Sequence, residues 1–133
     1  MTTNPVTRPG WREVSSDSDP DLPVSGRVAL ARLAGRAIAL TDGVTATAGP
    51  AGRWLTVGPQ QEIPGVLAVE DGHGYVDIEL HLVVRWPPQM PLEQLGEQVR
   101  TRLRRSAATA RLGERLGAVS VAFEDVLTET GST

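Results

Sequence analysis

Asp77, Glu79 and His81 stand two residues apart, with Asp71 and His73 a few positions before them. Oxygen and imidazole donors at this spacing suit two chemistries: a divalent metal held by carboxylate and imidazole, or proton transfer by a carboxylate-histidine pair. The spacing is also generic, because a strand with one face in water carries polar residues at every second position without any reaction. The chain has two histidines and no cysteine, which excludes thiolate metal sites and thiol chemistry. A second group is denser. From Arg100 to Arg115, six arginines stand against Glu114 alone. On a helical period Arg100, Arg104 and Arg111 fall in one sector, with Arg115 beside it. Such a stripe fits anionic lipid headgroups at ~1 kcal/mol per residue, nucleic-acid phosphate, or an acidic stretch of a partner or neighbouring subunit. It equally fits a solvated face that complements the negative end of a helix.

No Ser-His-Asp arrangement, P-loop or dinucleotide fingerprint is present, and Gly72-His73-Gly74 opens no helix that could receive a phosphate. The sequence thus gives no catalytic residue, no cofactor or metal ligand set and no small-molecule substrate. A length of 133 residues with 40% hydrophobic content suits one domain around one core. The apolar runs fall far short of the ~20 residues a membrane helix needs, and Asn4, Arg8 and Pro9 stand where a secretory signal would be apolar. A soluble, cytoplasmic chain is expected. The net charge of -3 argues against a wholly basic nucleic-acid protein, although the arginine cluster is a local excess that this average hides.

The elements that must position these residues follow from periodicity. In Tyr75 to Arg85, Val76, Ile78, Leu80, Leu82 and Val84 alternate with polar residues, which predicts a long strand buried on one face. Asp71-Gly72 and Gly74 predict a turn that folds Val66–Val69 back antiparallel on it. Trp86-Pro87-Pro88 ends the strand, and Pro91 begins a helix whose stripe of Leu92, Leu95, Val99, Leu103, Ala107 and Ala110 predicts helix to Leu112. Earlier, Leu30, Leu33, Ala34, Ala37, Ile38 and Leu40 predict a helix over Val28–Leu40, stopped by Asp42-Gly43. Val44–Ala48 and Arg53–Val57 read as short strands, Gly58–Gly65 as an irregular connection, and Ala118–Val126 as the last strand. Residues 1–24, rich in proline and serine, predict a disordered tail in which Trp11 is the single aromatic. The fold expected is α+β: a mostly antiparallel or mixed sheet of four to five strands with two helices packed on one face. The domain spans residues 25–127, with a C-terminal tail over 128–133. The uncovered sheet face, with Tyr75, Val83, Ala118, Ser120 and Ala122, would offer a second subunit a flat docking surface, Trp54 and Trp86 near its ends.

This order of elements resembles the bacterial alkaline shock protein family, an envelope stress family, over roughly Gly26 to Val126. Arg32-Leu33-Ala34-Gly35 leading to Asp42-Gly43-Val44 is similar to the family's opening helix and the step that follows it. The run Val76-Asp77-Ile78-Glu79-Leu80-His81-Leu82-Val83-Val84 is similar to its long strand. Pro91 to Leu112 resembles its proline-started helix, and Val119-Ser120-Val121 its closing strand. The sequence departs from the family at Leu40-Thr41-Asp42, where Glu-Val-Pro is usual, and in placing Ile63-Pro64-Gly65-Val66 before the central hairpin. The resemblance implies a non-enzymatic, cytoplasmic adaptor that self-associates and binds a membrane-embedded protein partner at the inner face of the cell membrane, with no catalytic residue to carry over. The alternative from the residues themselves is a small nucleic-acid-binding domain using the arginine stripe. Against it, the sheet lacks the surface aromatics on which single strands stack.

Overall fold

The computed structural model describes residues 25–58 and 61–128. The expected disordered tail with Trp11, and all of the C-terminal tail except Thr128, lie outside the described residues. Helix α1 (Gly26–Ala39) starts at Ser25, whose hydroxyl accepts a hydrogen bond from the Val28 amide at 3.4 Å. It is followed by β1 (Val44–Ala46), a 3₁₀ turn over Pro50–Gly52, β2 (Leu55–Gly58), β3 (Gln61–Pro64), β4 (Val66–Glu70) and β5 (Val76–Trp86). Helix α2 (Leu92–Thr109), a 3₁₀ turn over Gly113–Arg115 and β6 (Leu116–Thr128) complete the order.

β5 is the axis of the molecule. Along one side it pairs antiparallel with β4 through residues 76–80 and with β1 through residues 82–84; along the other it pairs parallel with β6 from end to end. β2 and β3 form a separate two-stranded antiparallel sheet. Two helices and a mostly antiparallel four-stranded sheet make the architecture α+β, as expected. The parallel β5–β6 pair needs a crossover, and α2 supplies it.

Alternation in β5 does the sorting. Val76, Ile78, Leu80, Leu82 and Val84 are buried and meet Leu30, Ala34 and Ile38 of α1 and Leu95, Val99, Leu103 and Ala107 of α2 in one core. Each leucine so buried contributes about 1.5–3 kcal/mol. Between β4 and β1, the His81 amide donates to the Gly65 carbonyl at 2.8 Å, and the His81 carbonyl accepts from Thr47 at 3.0 Å. Gly65 sits at this junction with φ 76°, where a Cβ would meet the Ala46 Cβ at 2.6 Å and the His81 carbonyl at 2.9 Å. No side chain fits there.

Three local expectations are corrected. The stretch read as irregular contains β3, which Ile63 ties to the core and which ends at Pro64. β6 is longer than expected at both ends and carries register shifts against β5 after Val76 and after Leu82. Helix α2 ends at Thr109, three residues before Leu112. There the Leu112 amide donates to the Ala107 carbonyl and the Arg111 amide to the Ala108 carbonyl, the two bonds of a Schellman end, with Arg111 at φ 63° where glycine is usual.

Candidate interaction surfaces

On the sheet face away from the helices, the acidic residues and His81 have structural partners. The Asp71 carboxylate accepts from the amides of His73 at 2.7 Å and Tyr75 at 3.2 Å, closing the turn between β4 and β5. The Asp77 carboxylate accepts from the Ala118 amide at 2.9 Å, at the first register shift of β6. His81 is 5% exposed. The Trp54 ring stacks on its imidazole with centroids 4.2 Å apart and planes 3° from parallel. Its Nδ1 donates to Glu124 Oε2 at 2.6 Å, because a carboxylate can only accept. Its Nε2 lies 3.2 Å from Glu79 Oε1, at an angle that makes no hydrogen bond.

Local sequence explains how this cover forms. Gly49, at φ 74°, passes against the Trp54 ring where a Cβ would collide, so the chain can turn the indole onto the sheet. The Trp54 amide donates to the Ala48 carbonyl at 2.7 Å, and its carbonyl accepts from Gly65 at 2.8 Å. Glu124 is the extra residue at the second register shift, between the pairs Leu82–Phe123 and Val83–Asp125, and a bulge of this kind re-aims a side chain. An imidazole so covered presents neither nitrogen to solvent: Nδ1 is held by Glu124, and Nε2 is buried without a hydrogen bond. Among the described residues no group of three or more histidine, aspartate or glutamate side chains is placed to hold a metal ion.

The arginine stripe does not act as one surface. Arg100 Nε donates to the Val119 carbonyl of β6 at 3.1 Å, and its Nη1 pairs with Glu97 at 3.2 Å. Arg115 Nε donates to the Gly74 carbonyl at 2.8 Å, and its Nη2 approaches Glu70 at 3.4 Å. Both therefore brace the sheet. Arg104 is exposed on α2, and Arg111 lies beyond the helix end with its own backbone conformation. Sequence reasoning missed a different pair: Arg36 of α1 and Arg105 of α2 line a groove between the helices, with Leu33, Ser106, Thr109 and Ala110. The signal was available in α1, where Leu33, Arg36 and Leu40 recur at spacings of three and four, but the pairing of the two helices was not.

The outer edge of β6 is the other open feature. Its one neighbour among the described strands is β5, so no described strand lies along the far side of Leu116–Leu127. The edge contains neither lysine nor proline, and of the usual guards of such edges it carries two register shifts and the charges of Glu124 and Asp125. Val126 is 49% exposed and Leu127 53%, and Trp86, which pairs with Thr128, is 46% exposed. Of the two tryptophans expected near the ends of the open sheet face, Trp86 marks the far end of β5, whereas Trp54 lies over His81 at the middle of the strand. Comparison with protein-family models, characterised proteins and solved structures found no match, so the family resemblance rests on the residues quoted for it.

Proposed function

We propose that the protein is a non-catalytic adaptor that self-associates and binds a membrane-embedded partner at the cytoplasmic face of the membrane, in an envelope-stress setting. The observation that supports the self-association is the outer edge of β6 over Leu116–Leu127, along which no described strand lies and where Val126 and Leu127 are exposed. A second copy fits it by antiparallel pairing. Arg100 lies against Val119 near the start of the strand and Glu124–Asp125 lie near its end, so antiparallel pairing brings opposite charges of the two copies together. The membrane half of the reading rests on the resemblance. No helix among the described residues is long and apolar enough to cross a membrane, and a membrane-embedded partner would supply the span.

The test joins light scattering of the purified protein with fractionation of cells expressing it, with and without nuclease. The wild type is expected to form dimers or larger species and to pellet with membranes until detergent is added. Val126→Lys/Leu127→Lys, both exposed positions, should keep the monomer's stability within about 0.5 kcal/mol and shift it to monomer. A monomeric wild type sinks the self-association. A wild type that stays soluble sinks the membrane reading, and a large complex that nuclease disperses favours nucleic acid.

A further inference from the structure

The groove between α1 and α2 holds charge that the fold leaves uncompensated. Arg36 and Arg105 line it from different helices, and none of its lining residues is acidic. Neither arginine makes an ion pair with a described residue, whereas Arg100 and Arg115 each have both a carbonyl and a carboxylate. Arg36 stands in the last turn of α1, whereas the last turn of α2 holds no basic residue and Arg105 precedes it. The dipole at the end of α1 supplies Arg36 with about half an elementary charge of counter-charge, less than one guanidinium group requires, and that of α2 falls off within its last turn, short of Arg105. The Ser106 and Thr109 hydroxyls add neutral donors on the α2 side. Guanidinium pairs with hydroxyl donors are suited to a phosphate group.

The surroundings decide which phosphate. Leu40, one turn beyond Arg36 on the same flank of α1, is 60% exposed. An exposed leucine beside arginines is the pattern of a helix end that lies in a lipid interface, with cations at the headgroups and the apolar side chain below them. A single-stranded nucleic-acid site would call instead for aromatic side chains on which bases stack, and the groove lining has no aromatic residue. Asp77, Glu79, Glu124 and Asp125 belong to the sheet strands, while Glu93 and Glu97 stand in the first two turns of α2, at the other end from Arg105, and Asp42 follows Leu40 by two residues. We propose that the α1–α2 groove binds the phosphate of anionic phospholipid headgroups, with Leu40 inserted beside it, and so seats the helical layer on a negatively charged membrane surface. This rests on the membrane-associated reading above and names the surface that makes the contact.

The experiment is co-sedimentation of the full chain with vesicles of phosphatidylcholine alone or mixed with phosphatidylglycerol. Binding is expected only with phosphatidylglycerol present. Two cations at ~1 kcal/mol each correspond to a loss of about thirty-fold for Arg36→Ala/Arg105→Ala. Leu40→Ser should lose several-fold, and the control Arg104→Ala/Arg111→Ala less than threefold. All the substituted residues are exposed, and thermal melts verify that each variant is folded. Absence of binding to phosphatidylglycerol vesicles overturns the inference. So do an equal loss in the control pair, which marks diffuse attraction, an unaffected Leu40→Ser with full competition by inorganic phosphate, which marks a free-phosphate site, and tighter binding to single-stranded RNA than to vesicles. If vesicle binding fails while cellular protein still pellets with membranes, the lipid inference falls and the adaptor reading stands on a protein partner. If both fail, both fall.

Discussion

A polar side chain buried in a sheet face needs partners, and His81 finds two: Glu124 for Nδ1 and Trp54 for the ring face, with Nε2 beside Glu79 but without a hydrogen bond. The arrangement joins the β2–β3 hairpin, β5 and β6 through one imidazole. The stack adds about 0.5–1.5 kcal/mol beyond area burial, and the hydrogen bond to a carboxylate about 1.5–3 kcal/mol. His81→Phe keeps a ring under Trp54 and removes the hydrogen bond, so a chemical-denaturation measurement should show a loss of about 1.5–3 kcal/mol. Cell fractionation of the same variant should match wild type if the residue is structural. An undiminished stability with altered fractionation would make His81 part of a working surface. The alternation of β5 placed His81 on the face away from the core, and that much was legible. Its burial was not, because the cover comes from Trp54, far back in the sequence, and from Glu124, on a strand whose parallel register no local pattern encodes.

At the scale of elements, the end of α2 departs most from what periodicity predicts. The apolar stripe runs through Ala110, yet the helix stops at Thr109 and Arg111 takes a left-handed conformation. That conformation costs a non-glycine residue roughly 1–2 kcal/mol, offset here by the two amide bonds of the Schellman end. Arg111→Gly should raise stability by about 0.5–1 kcal/mol, after allowing for glycine's greater freedom in the unfolded chain. For a domain of this size that corresponds to about 2–5 °C in a thermal melt, and an unchanged or lower melting temperature would reject the assignment of strain to this residue. The sequence signal failed here for a physical reason. Gly113 is the glycine a reader chooses as the stop, while hydrogen bonding set by Leu112 closes the helix two residues sooner. β3 was hidden similarly, since Pro64 lies opposite Leu55 in a two-stranded sheet where a missing donor is tolerated.

Over the whole molecule, the core and the two-layer arrangement were the most legible features, because both follow from periods of two and 3.6 carried by long elements. What the sequence could not give is which arginines are free, since that depends on which strands and helices become neighbours. The junction on β5 has a further outcome. Thr47 and Gly65 both hydrogen bond to His81, so the chain between them leaves and rejoins the sheet at one point. The β2–β3 pair can then open while β1, β4, β5 and β6 remain paired. Amide hydrogen exchange should separate accordingly: amides paired between β2 and β3 exchange through a local opening, while those of Ile78, Leu80 and Leu82 wait for global unfolding. Equal protection in the two sets would show that the hairpin and the sheet melt together. In each opening the indole leaves the imidazole and water reaches the pair formed by His81 and Glu124, so the hairpin's own stability sets how often that pair is wet.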